Sequence, residues 1–254
     1  MEHSWADVLA AQAAAYVRGR PDYPAEIENW LRGELGLGPG KVAVDLGSGT
    51  GKFLPRLCAT GADVVAVEPR SAMRDHLNAL YPDVEAREGT AQAMPLPDGS
   101  VDAVLCAQSY HLFATPDALA EIRRVLKPDG SLGLVWNIRD ASVPWVARVI
   151  EIMAPYDDGS PNFDLAEWRQ QALPRDGFHP ATERRFANPQ TGFPSNVIVD
   201  RVLSVSVIAR LPRYERDRVV GELWDLMAKT PELAGKPQVT FPNITYAYHC
   251  RKRG

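Results

Sequence analysis

Residues 42–53 read VAVDLGSGTGKF, an apolar segment followed by glycines at every second position and then by residues that can begin a helix. A near-continuous apolar run is typical of a strand buried in a parallel sheet. Glycines let a ligand approach the backbone closely, and amide groups at the start of a helix point toward it. Glu68 ends the next apolar run, 21 positions after Gly47, where a carboxylate can accept hydrogen bonds from both hydroxyls of a ribose. The loop and the acid together predict a site for a nucleotide-type cofactor.

Strand and helix patterns alternate from residue 41 to residue 138. Helices are predicted over 24–35, through Arg56 and Leu57, over 71–81 and over 117–126, with a turn over 127–130. Five strand segments accompany them, namely KVAVDL, ADVVAVEP, VEAREG, VDAVLCAQ and SLGLVWNI. Right-handed crossovers between such strands give an open α/β sheet, doubly wound, with helices on both faces.

The pattern is less regular outside this core. The last strand alternates in polarity and ends in a basic tail, which favours an edge position. Further predicted elements are a helix over 4–18, helical stretches over 143–156 and 165–173, a strand near 183–188, helices around 197–204 and 215–229, and the last strand over 244–253. The 254 residues allow one large domain or a domain with an insertion. We predict a single domain with an N-terminal helical lid (1–38), a cofactor-binding core (41–138), a helical insert (140–175) and a C-terminal part that completes the sheet (176–254).

Composition narrows the class of partner and the compartment. The formal net charge of −4 argues against a broad basic face for nucleic acid. The three cysteines, Cys58, Cys106 and Cys250, show no CxxC or zinc-type pairing, so we expect a reducing compartment and no metal site, with Cys106 as a core residue. The N-terminus lacks the order of a signal peptide, and no segment approaches the ~18 consecutive apolar residues of a membrane span. A soluble, cytoplasmic protein is therefore predicted.

The spacing of the glycines distinguishes between cofactors. It is G-x-G-x-G with Lys52 next, rather than the G-x-G-x-x-G of dinucleotide enzymes, and Asp45 can meet a cationic amino group. Here the chain resembles the class I S-adenosylmethionine-dependent methyltransferases, whose first motif looks like DLGSGTG. The resemblance continues through VVAVEP, EGTAQAMPLPDGSVDAVLCAQ and EIRRVLKPDGSLGLVW, and YVRGRPDYP and ITYAYHCRKRG look like the small-molecule, methyltransferase type 11-like branch. It implies a Rossmann-like, mostly parallel sheet of seven strands with an antiparallel last strand.

The resemblance also implies roles for individual residues. Many relatives carry Asp at the position of Thr90, whose hydroxyl can also accept from the adenine amino group, and Pro69 and Met73 either touch the adenosine or simply pack. The implied cofactor-binding residues are Asp45, Gly47, Ser48, Gly49, Thr50 and Gly51 for the methionine part, Glu68 for the ribose, Pro69 and Met73 for the adenosine, Thr90 and Ala91 for the adenine, and Ala107, Gln108 and Ser109 for the methyl-transfer side.

The segment before the core offers two more candidates. In the resembled branch it folds over the cofactor, so Arg20 would pair with the methionine carboxylate and Tyr16 would close the pocket. The alternative is a solvated arginine and a tyrosine that packs its helix onto the sheet.

His111, in SYHLF after the fourth strand, is the candidate catalytic base or substrate-orienting group, because imidazole titrates near neutrality. It could instead hydrogen-bond the loop backbone. Enzymes that methylate amino groups of nucleic-acid bases usually carry an N/D-P-P-Y/F type motif at this place, whereas this chain has AQSY. The resemblance therefore disfavours a nucleic-acid substrate.

Three functions remain open at this point. The first is a methyltransferase that moves a methyl group from S-adenosyl-L-methionine to an oxygen, nitrogen or carbon of a small molecule, leaving S-adenosyl-L-homocysteine, as a monomer or homodimer. The second is a non-catalytic protein that binds this cofactor, and the third is an NAD(P)-dependent oxidoreductase. The expected pocket is roofed by 1–35 and 140–175. Its candidate side chains are Trp145, Trp168 and Trp224, which are expected mainly in the core, and Arg139, Arg148 and Arg169, which could bind a carboxylate.

Overall fold

In the computed structural model, the described residues are 19–157, 173–174 and 176–253. The predicted helices over 4–18 and 165–173, with Tyr16, Trp168 and Arg169, lie outside them, except for the last residue of the second helix. The described chain divides into two compact units. We name them the sheet unit (22–137, 173–174, 176–186 and 245–253) and the helical unit (19–21, 138–157 and 187–244). The prediction that residues 1–254 form one domain stays a prediction.

The sheet unit is built on a sheet of seven strands. The strands are β1 (Val42–Leu46), β2 (Asp63–Val67), β3 (Glu85–Arg87), β4 (Val101–Ala107), β5 (Leu126–Arg139), β6 (Thr182–Ala187) and β9 (Asn243–Arg251), and the helices of this unit are α1 (Ile27–Gly33), α2 (Leu54–Cys58), α3 (Ser71–Leu80) and α4 (Pro116–Val125). The strand order across the sheet is β3-β2-β1-β4-β5-β9-β6. Strands β1 to β5 are parallel neighbours, as the near-continuous apolar runs predict.

The last strand runs antiparallel to its neighbour. The Lys252 amide, after the end of β9, donates to the carbonyl of Gly130 near the start of β5. At the other end of the two strands, Thr245 Oγ1 donates to Asn137 Oδ1 at 2.5 Å. The predicted edge position for this strand is wrong, because β9 lies between β5 and β6. The edge belongs to β6, whose exposed charged residues are typical of a protected edge.

The predicted turn over 127–130 is a bulge inside β5. Val101 pairs with Leu126, but Ala103 pairs with Ser131, so the register shifts over these residues. Asp129 has a φ of 60°, which agrees with the turn chemistry of the sequence. The sequence therefore located the irregular backbone of residues 127–130 correctly but did not show that the same strand continues on both sides of it.

Helix α1 packs on one face of the sheet. Ile27, Trp30 and Leu31 are buried in one apolar cluster with sheet residues such as Leu105. Helix and sheet pack closely at Gly133 on β5, where an added Cβ atom would lie 3.2 Å from Cη2 of Trp30 and would also clash with Leu105 of the neighbouring strand. Within the predicted lid 1–38, this helix is thus part of the core of the sheet unit.

The helical unit has its own apolar core. Trp145 is buried as expected and meets Phe241 edge to face, with ring centroids 5.1 Å apart. Trp224 is 48% exposed, so its predicted core position is wrong. Its helix buries Val219 and Leu223, and the next residue points about 100° away from that stripe. The elements of this unit are α5 (Pro144–Met153), a π-helix (Ser195–Asp200) that continues as α6 (Arg201–Leu203), α7 (Ser206–Ala209), α8 (Arg213–Lys229), and a two-stranded antiparallel sheet of β7 (Gln190–Gly192) and β8 (Val239–Phe241).

Only β6 and β9 of the predicted C-terminal part complete the large sheet, because residues 190–241 belong to the helical unit. None of the helices in the described ranges combines the length and the apolar composition needed to cross a membrane.

Candidate functional site

The glycine loop follows β1, and glycine is needed at its three glycine positions for different structural reasons. Gly47, Gly49 and Gly51 have φ values of 69°, 55° and 81°, a region that side chains with a Cβ disfavour. A Cβ on Gly47 would lie 2.8 Å from Ser109 Cβ, whereas a Cβ on Gly49 would meet nothing within 4 Å. The loop is thus closed on one side by Ser109, just after β4, and has open space at Gly49. Helix α2 begins at Leu54 and has only five residues, so the loop rather than the helix shapes this place.

Glu68 ties the second strand to this loop. Its side chain is 2% exposed, and Oε2 accepts a hydrogen bond from the Gly49 amide at 3.0 Å. Oε1 accepts from the amide and from Nε of Arg70, at 3.2 and 2.9 Å. The sequence predicted that Glu68 and the glycine loop lie together, and in the structure Glu68 contacts the loop directly through this hydrogen bond. A loop amide that binds a carboxylate of the protein is also less suited to a pyrophosphate, which disfavours the dinucleotide alternative.

Asp45, near the end of β1, is a buried carboxyl group that is 1% exposed. Its Oδ2 atom has no hydrogen-bond partner. Burial first, and then the charge of Glu68, raise the pKa of Asp45 from its ordinary value of 3.8 to about 7. A buried carboxyl with an open oxygen is suited to a cationic ligand group, because an ammonium would supply both the hydrogen bond and the countercharge. The buried Oγ of Ser48 also has no partner, so two polar atoms here fit the amino-acid part of S-adenosylmethionine.

The end of β4 is tied to both neighbouring strands. Gln108 has a φ of 58°, a strained conformation for a residue other than glycine. Its amide donates to Val135 O at 2.8 Å and its Nε2 to Asn137 O at 3.0 Å, while Ser109 Oγ donates to Leu46 O at 2.7 Å. These bonds hold the residues predicted to line the methyl-transfer side at the same edge of the sheet as the glycine loop.

His111 lies on a short 3₁₀ helix, Tyr110–Leu112, directly after this point. Trp136 Nε1 on β5 donates to its Nδ1 at 3.3 Å. Because an indole can only donate, Nδ1 acts as an acceptor in this contact, which assigns the neutral tautomer with the proton on Nε2. In this state the imidazole carries its proton on Nε2. Nothing in the sequence identifies Trp136 as a site residue, because it looks there like any other apolar residue of a buried strand.

The remaining residues that are predicted to bind the adenosine part of the cofactor lie after strands β2 and β3. Ala91 is buried and Thr90 is exposed in a tight turn closed by two backbone bonds of 3.2 Å between Thr90 and Ala93. Pro69 is exposed and Met73 is half-buried on α3. Arg74, which the sequence did not single out, donates from Nη1 to Glu68 O at 2.9 Å and to Pro69 O at 2.7 Å. It fixes the chain just after the ribose-binding candidate.

Arg20 lies in the helical unit. Its Nε donates to Ser204 Oγ at 3.1 Å and its Nη2 to Ser204 O at 3.2 Å. The pairing of Arg20 with the methionine carboxylate stays a prediction. Arg148 is exposed and forms an ion pair with Glu151. In the part of the chain that the structure describes, no group of three or more His, Cys, Asp or Glu residues is arranged to hold a metal ion.

Comparison with known proteins identifies the class. A family model described as "Methyltransferase domain" matches residues 44–134. A provisionally named type II methyltransferase from Anaeromyxobacter dehalogenans has a similar fold, with a TM-score of 0.69 at 22% identity, over 92% of this chain and 97% of that one. The YcgJ protein of Bacillus subtilis has a TM-score of 0.58 at 19% identity, over 91% and 100%. Together with the strand order and the antiparallel strand, these define a class I methyltransferase fold.

Two longer sequence matches give the family. An uncharacterized methyltransferase-like protein of Schizosaccharomyces pombe is 38% identical over 244 residues, which are 94% of this chain and 93% of that protein. An uncharacterized methyltransferase of Mycobacterium tuberculosis is 38% identical over 237 residues, or 93% and 92%. The chain belongs to the class I S-adenosylmethionine-dependent methyltransferase family.

Proposed function

We propose that this protein transfers the methyl group of S-adenosyl-L-methionine to an oxygen, nitrogen or carbon nucleophile of a small molecule. The observation that carries the proposal is the buried Asp45, with its open Oδ2, beside a glycine loop that is bonded to Glu68. This arrangement offers one carboxylate to an ammonium group and a second to a ribose at the same edge of the sheet.

The bound cofactor would supply an electrophilic methyl group on a sulfonium, so the protein mainly orients the acceptor and excludes water. An acceptor atom that carries a proton would release it to solvent when it receives the methyl group. Asp45 and the loop residues 47–51 would hold the methionine part and Glu68 the ribose. Ala107 and Gln108 would lie beside the methyl group.

His111 has a more specific role in this proposal. With Nδ1 engaged by Trp136, its Nε2–H would donate to the acceptor and orient it. Removal of the acceptor's proton by His111 would require the other tautomer. The donor role therefore fits the described contact better than the role of base.

The acceptor is proposed to be a small molecule rather than a nucleic acid, because AQSY (107–110) takes the place of an N/D-P-P-Y/F type motif and the net charge is −4. The three cysteines are free thiols, which fits the proposed location in the reducing cytoplasm. We also propose that the protein acts as a monomer or homodimer.

Calorimetry with S-adenosyl-L-homocysteine and with NAD⁺ tests the cofactor. We expect binding of the first and none of the second, with Kd raised by Glu68→Gln and unchanged by Glu85→Gln, which alters an exposed carboxylate. Binding of NAD⁺ alone would refute the proposal in favour of an oxidoreductase.

A second assay separates an enzyme from a binding protein. S-adenosylhomocysteine release is measured with a panel of metabolites as acceptors. Tight cofactor binding without release from any acceptor would favour the non-catalytic alternative.

A further inference from the structure

The sheet unit contains a cavity that none of the predicted cofactor-binding residues lines. Its volume is about 220 Å³, and its walls are formed by His179, Pro180, Thr182, His249 and Arg251, all of which belong to the sheet unit. A water molecule in the liquid takes about 30 Å³, so this volume corresponds to about seven waters. The cavity therefore has room for a small organic molecule and not only for a single ion.

The cavity lies at the end of the parallel strands that is opposite to the glycine loop. His249 Nε2 on β9 is 2.9 Å from Ser131 Oγ in the first half of β5, and the amide of Lys252, just past Arg251, donates to Gly130 O. The glycine loop follows the end of β1, and β1, β4 and β5 run parallel to one another. The length of these strands therefore separates the cavity from the cofactor-binding candidates.

Arg251 gives this cavity a positive charge that is only weakly compensated. Its Nη2 atom is 3.5 Å from Asp129 Oδ1, and the two side chains are 57% and 65% exposed. An ion pair between groups exposed to this extent contributes little, because water and salt screen both charges. An anion that enters the cavity can therefore compete with Asp129 for the guanidinium.

Acidic side chains on the neighbouring elements are compensated by other arginines. Glu183, next to Thr182, is 2.6 Å from Arg185 Nε, and Glu34, just after α1, is 2.7 Å from Arg184 Nε. Neither carboxylate leaves an unpaired negative charge that would repel an anion from this part of the sheet.

The other polar groups of the cavity are donors without a carboxylate among them. The side chains of His179 and Thr182 form no hydrogen bond within the part of the chain that the structure describes. With Arg251 and His249, they bring one guanidinium, one hydroxyl and two imidazole rings to the same walls. Such a set is suited to an oxyanion, because each of these groups can donate a hydrogen bond to it.

The number of donors favours a phosphate over a carboxylate. A phosphate monoester has three terminal oxygens and a charge of about −1.5 to −2 at neutral pH, so it can accept from the guanidinium, the hydroxyl and an imidazole together. A carboxylate has two oxygens, which one guanidinium already satisfies. The ring of Pro180 offers apolar surface to the remainder of the molecule.

We propose that this cavity is a binding site for a small phosphate monoester, with the phosphate held by Arg251, Thr182 and the imidazoles. The site is separate from the place of methyl transfer, so this inference does not depend on the proposed function.

Calorimetry tests the class of ligand without turnover. The protein is titrated with glycerol 3-phosphate, ribose 5-phosphate, glucose 6-phosphate, inorganic phosphate and glutarate at constant ionic strength. We expect at least one ester to bind more tightly than inorganic phosphate, and glutarate to bind least. Binding of glutarate as tight as that of every ester, binding of inorganic phosphate alone, or no binding of any phosphate would overturn the proposal.

Variants locate the bound ester. Arg251→Gln should raise its Kd about tenfold or more, because a charge-assisted contact is lost. Arg253→Gln is the matched control, since it removes the same charge two residues further along the chain and outside the cavity, and it should change the Kd much less. Equal weakening by both variants would indicate a general effect of net charge and contradict the proposal.

A second variant guards against misfolding, which thermal melts detect. Thr182→Val keeps the shape of an exposed side chain at the start of the edge strand β6 and removes only its hydroxyl. It should raise the Kd of the ester severalfold. If Arg251→Gln does not fold, an unchanged Kd in Thr182→Val would overturn the proposal in its place.

The last experiment separates the cavity from the glycine loop, where backbone amides can also bind a phosphate. The Kd of the ester is measured with and without saturating S-adenosylhomocysteine, and we expect no change. Displacement of the ester by S-adenosylhomocysteine would place the phosphate at the cofactor site and overturn the proposal. If S-adenosylhomocysteine does not bind at all, the proposed function fails, whereas the comparison of Arg251→Gln with Arg253→Gln still decides whether the cavity binds the ester.

Discussion

Cofactor affinity should depend on pH through Asp45. Its pKa of about 7 means that the carboxyl is mostly protonated at pH 6 and mostly ionised at pH 8. A cationic amino group binds the ionised form, so binding must release the proton wherever Asp45 holds one. The ionised fraction is about 0.09 at pH 6 and about 0.9 at pH 8, so the Kd of S-adenosylhomocysteine should fall about tenfold between them, or about 1.4 kcal/mol.

Calorimetry in buffers of different ionisation enthalpy measures this directly. At pH 6 binding should release about 0.9 proton to the buffer, and at pH 8 about 0.1. Asp45→Asn has nearly the same shape but cannot titrate, so its weakened binding should not vary with pH between 6 and 8. An unchanged Kd in the wild type across this range, with no proton release, would refute the reasoning.

The stability of the free protein should change in the opposite sense. Folding raises the pKa of Asp45 from 3.8 to about 7, so the folded state binds more protons than the unfolded state between these values. The stabilisation from the protonated group is full below about pH 4 and is lost as the pH rises through 7, by up to ~4 kcal/mol. Urea unfolding at pH 5 and pH 8 should show about 2.6 kcal/mol of this loss, and the loss should be absent in Asp45→Asn.

Three further predictions concern the backbone and the imidazole. Gly47→Ala should abolish cofactor binding and lower stability more than Gly49→Ala, because both positions need a positive φ but only the first would place a Cβ 2.8 Å from Ser109 Cβ; calorimetry and thermal melts of the two variants check the order, and equal losses would contradict it. Trp136→Phe removes the donor to Nδ1 of His111, so the ring should populate the other tautomer, visible in ¹⁵N NMR shifts, and the pH profile of kcat should move; an unchanged spectrum would disprove the assignment. Gly133→Ala should destabilise the sheet unit by about 1–3 kcal/mol in urea unfolding, since its Cβ would overlap a core leucine at 2.4 Å, and a neutral result would show that the contact relaxes.

The part of the site that could be predicted from sequence is the part encoded locally. The loop 47–51 carries its own conformational requirement, because its glycines occupy positive φ values. Glu68 could be placed because it ends a parallel neighbour of β1, and parallel strands bring their carboxyl ends to one edge. Strand type and local order were therefore sufficient to bring these residues together.

Contacts between segments that are far apart in the chain could not be predicted from the sequence in the same way. The position of β9 inside the sheet depends on β6 returning to its free side, and an alternating strand suits an edge and a neighbouring position equally well. The tautomer of His111 depends on Trp136, 25 residues further along the chain, and neither residue type indicates the other. Periodicity also failed at Trp224, where an apolar side chain lies one residue outside the buried stripe of its helix.

Asp45 has an electrostatic environment that stability alone does not explain. Its buried carboxyl lies near the charge of Glu68. Like charges placed together away from water destabilise a fold, so this pair is expected to be retained for a ligand of opposite charge, and an ammonium group would supply that charge. Substitution of Asp45 by its neutral isostere, Asp45→Asn, should therefore weaken ligand binding while leaving the free protein as stable as before, or more so, at pH 8. Lower stability of this variant at pH 8 would show that the carboxyl serves the fold rather than a ligand.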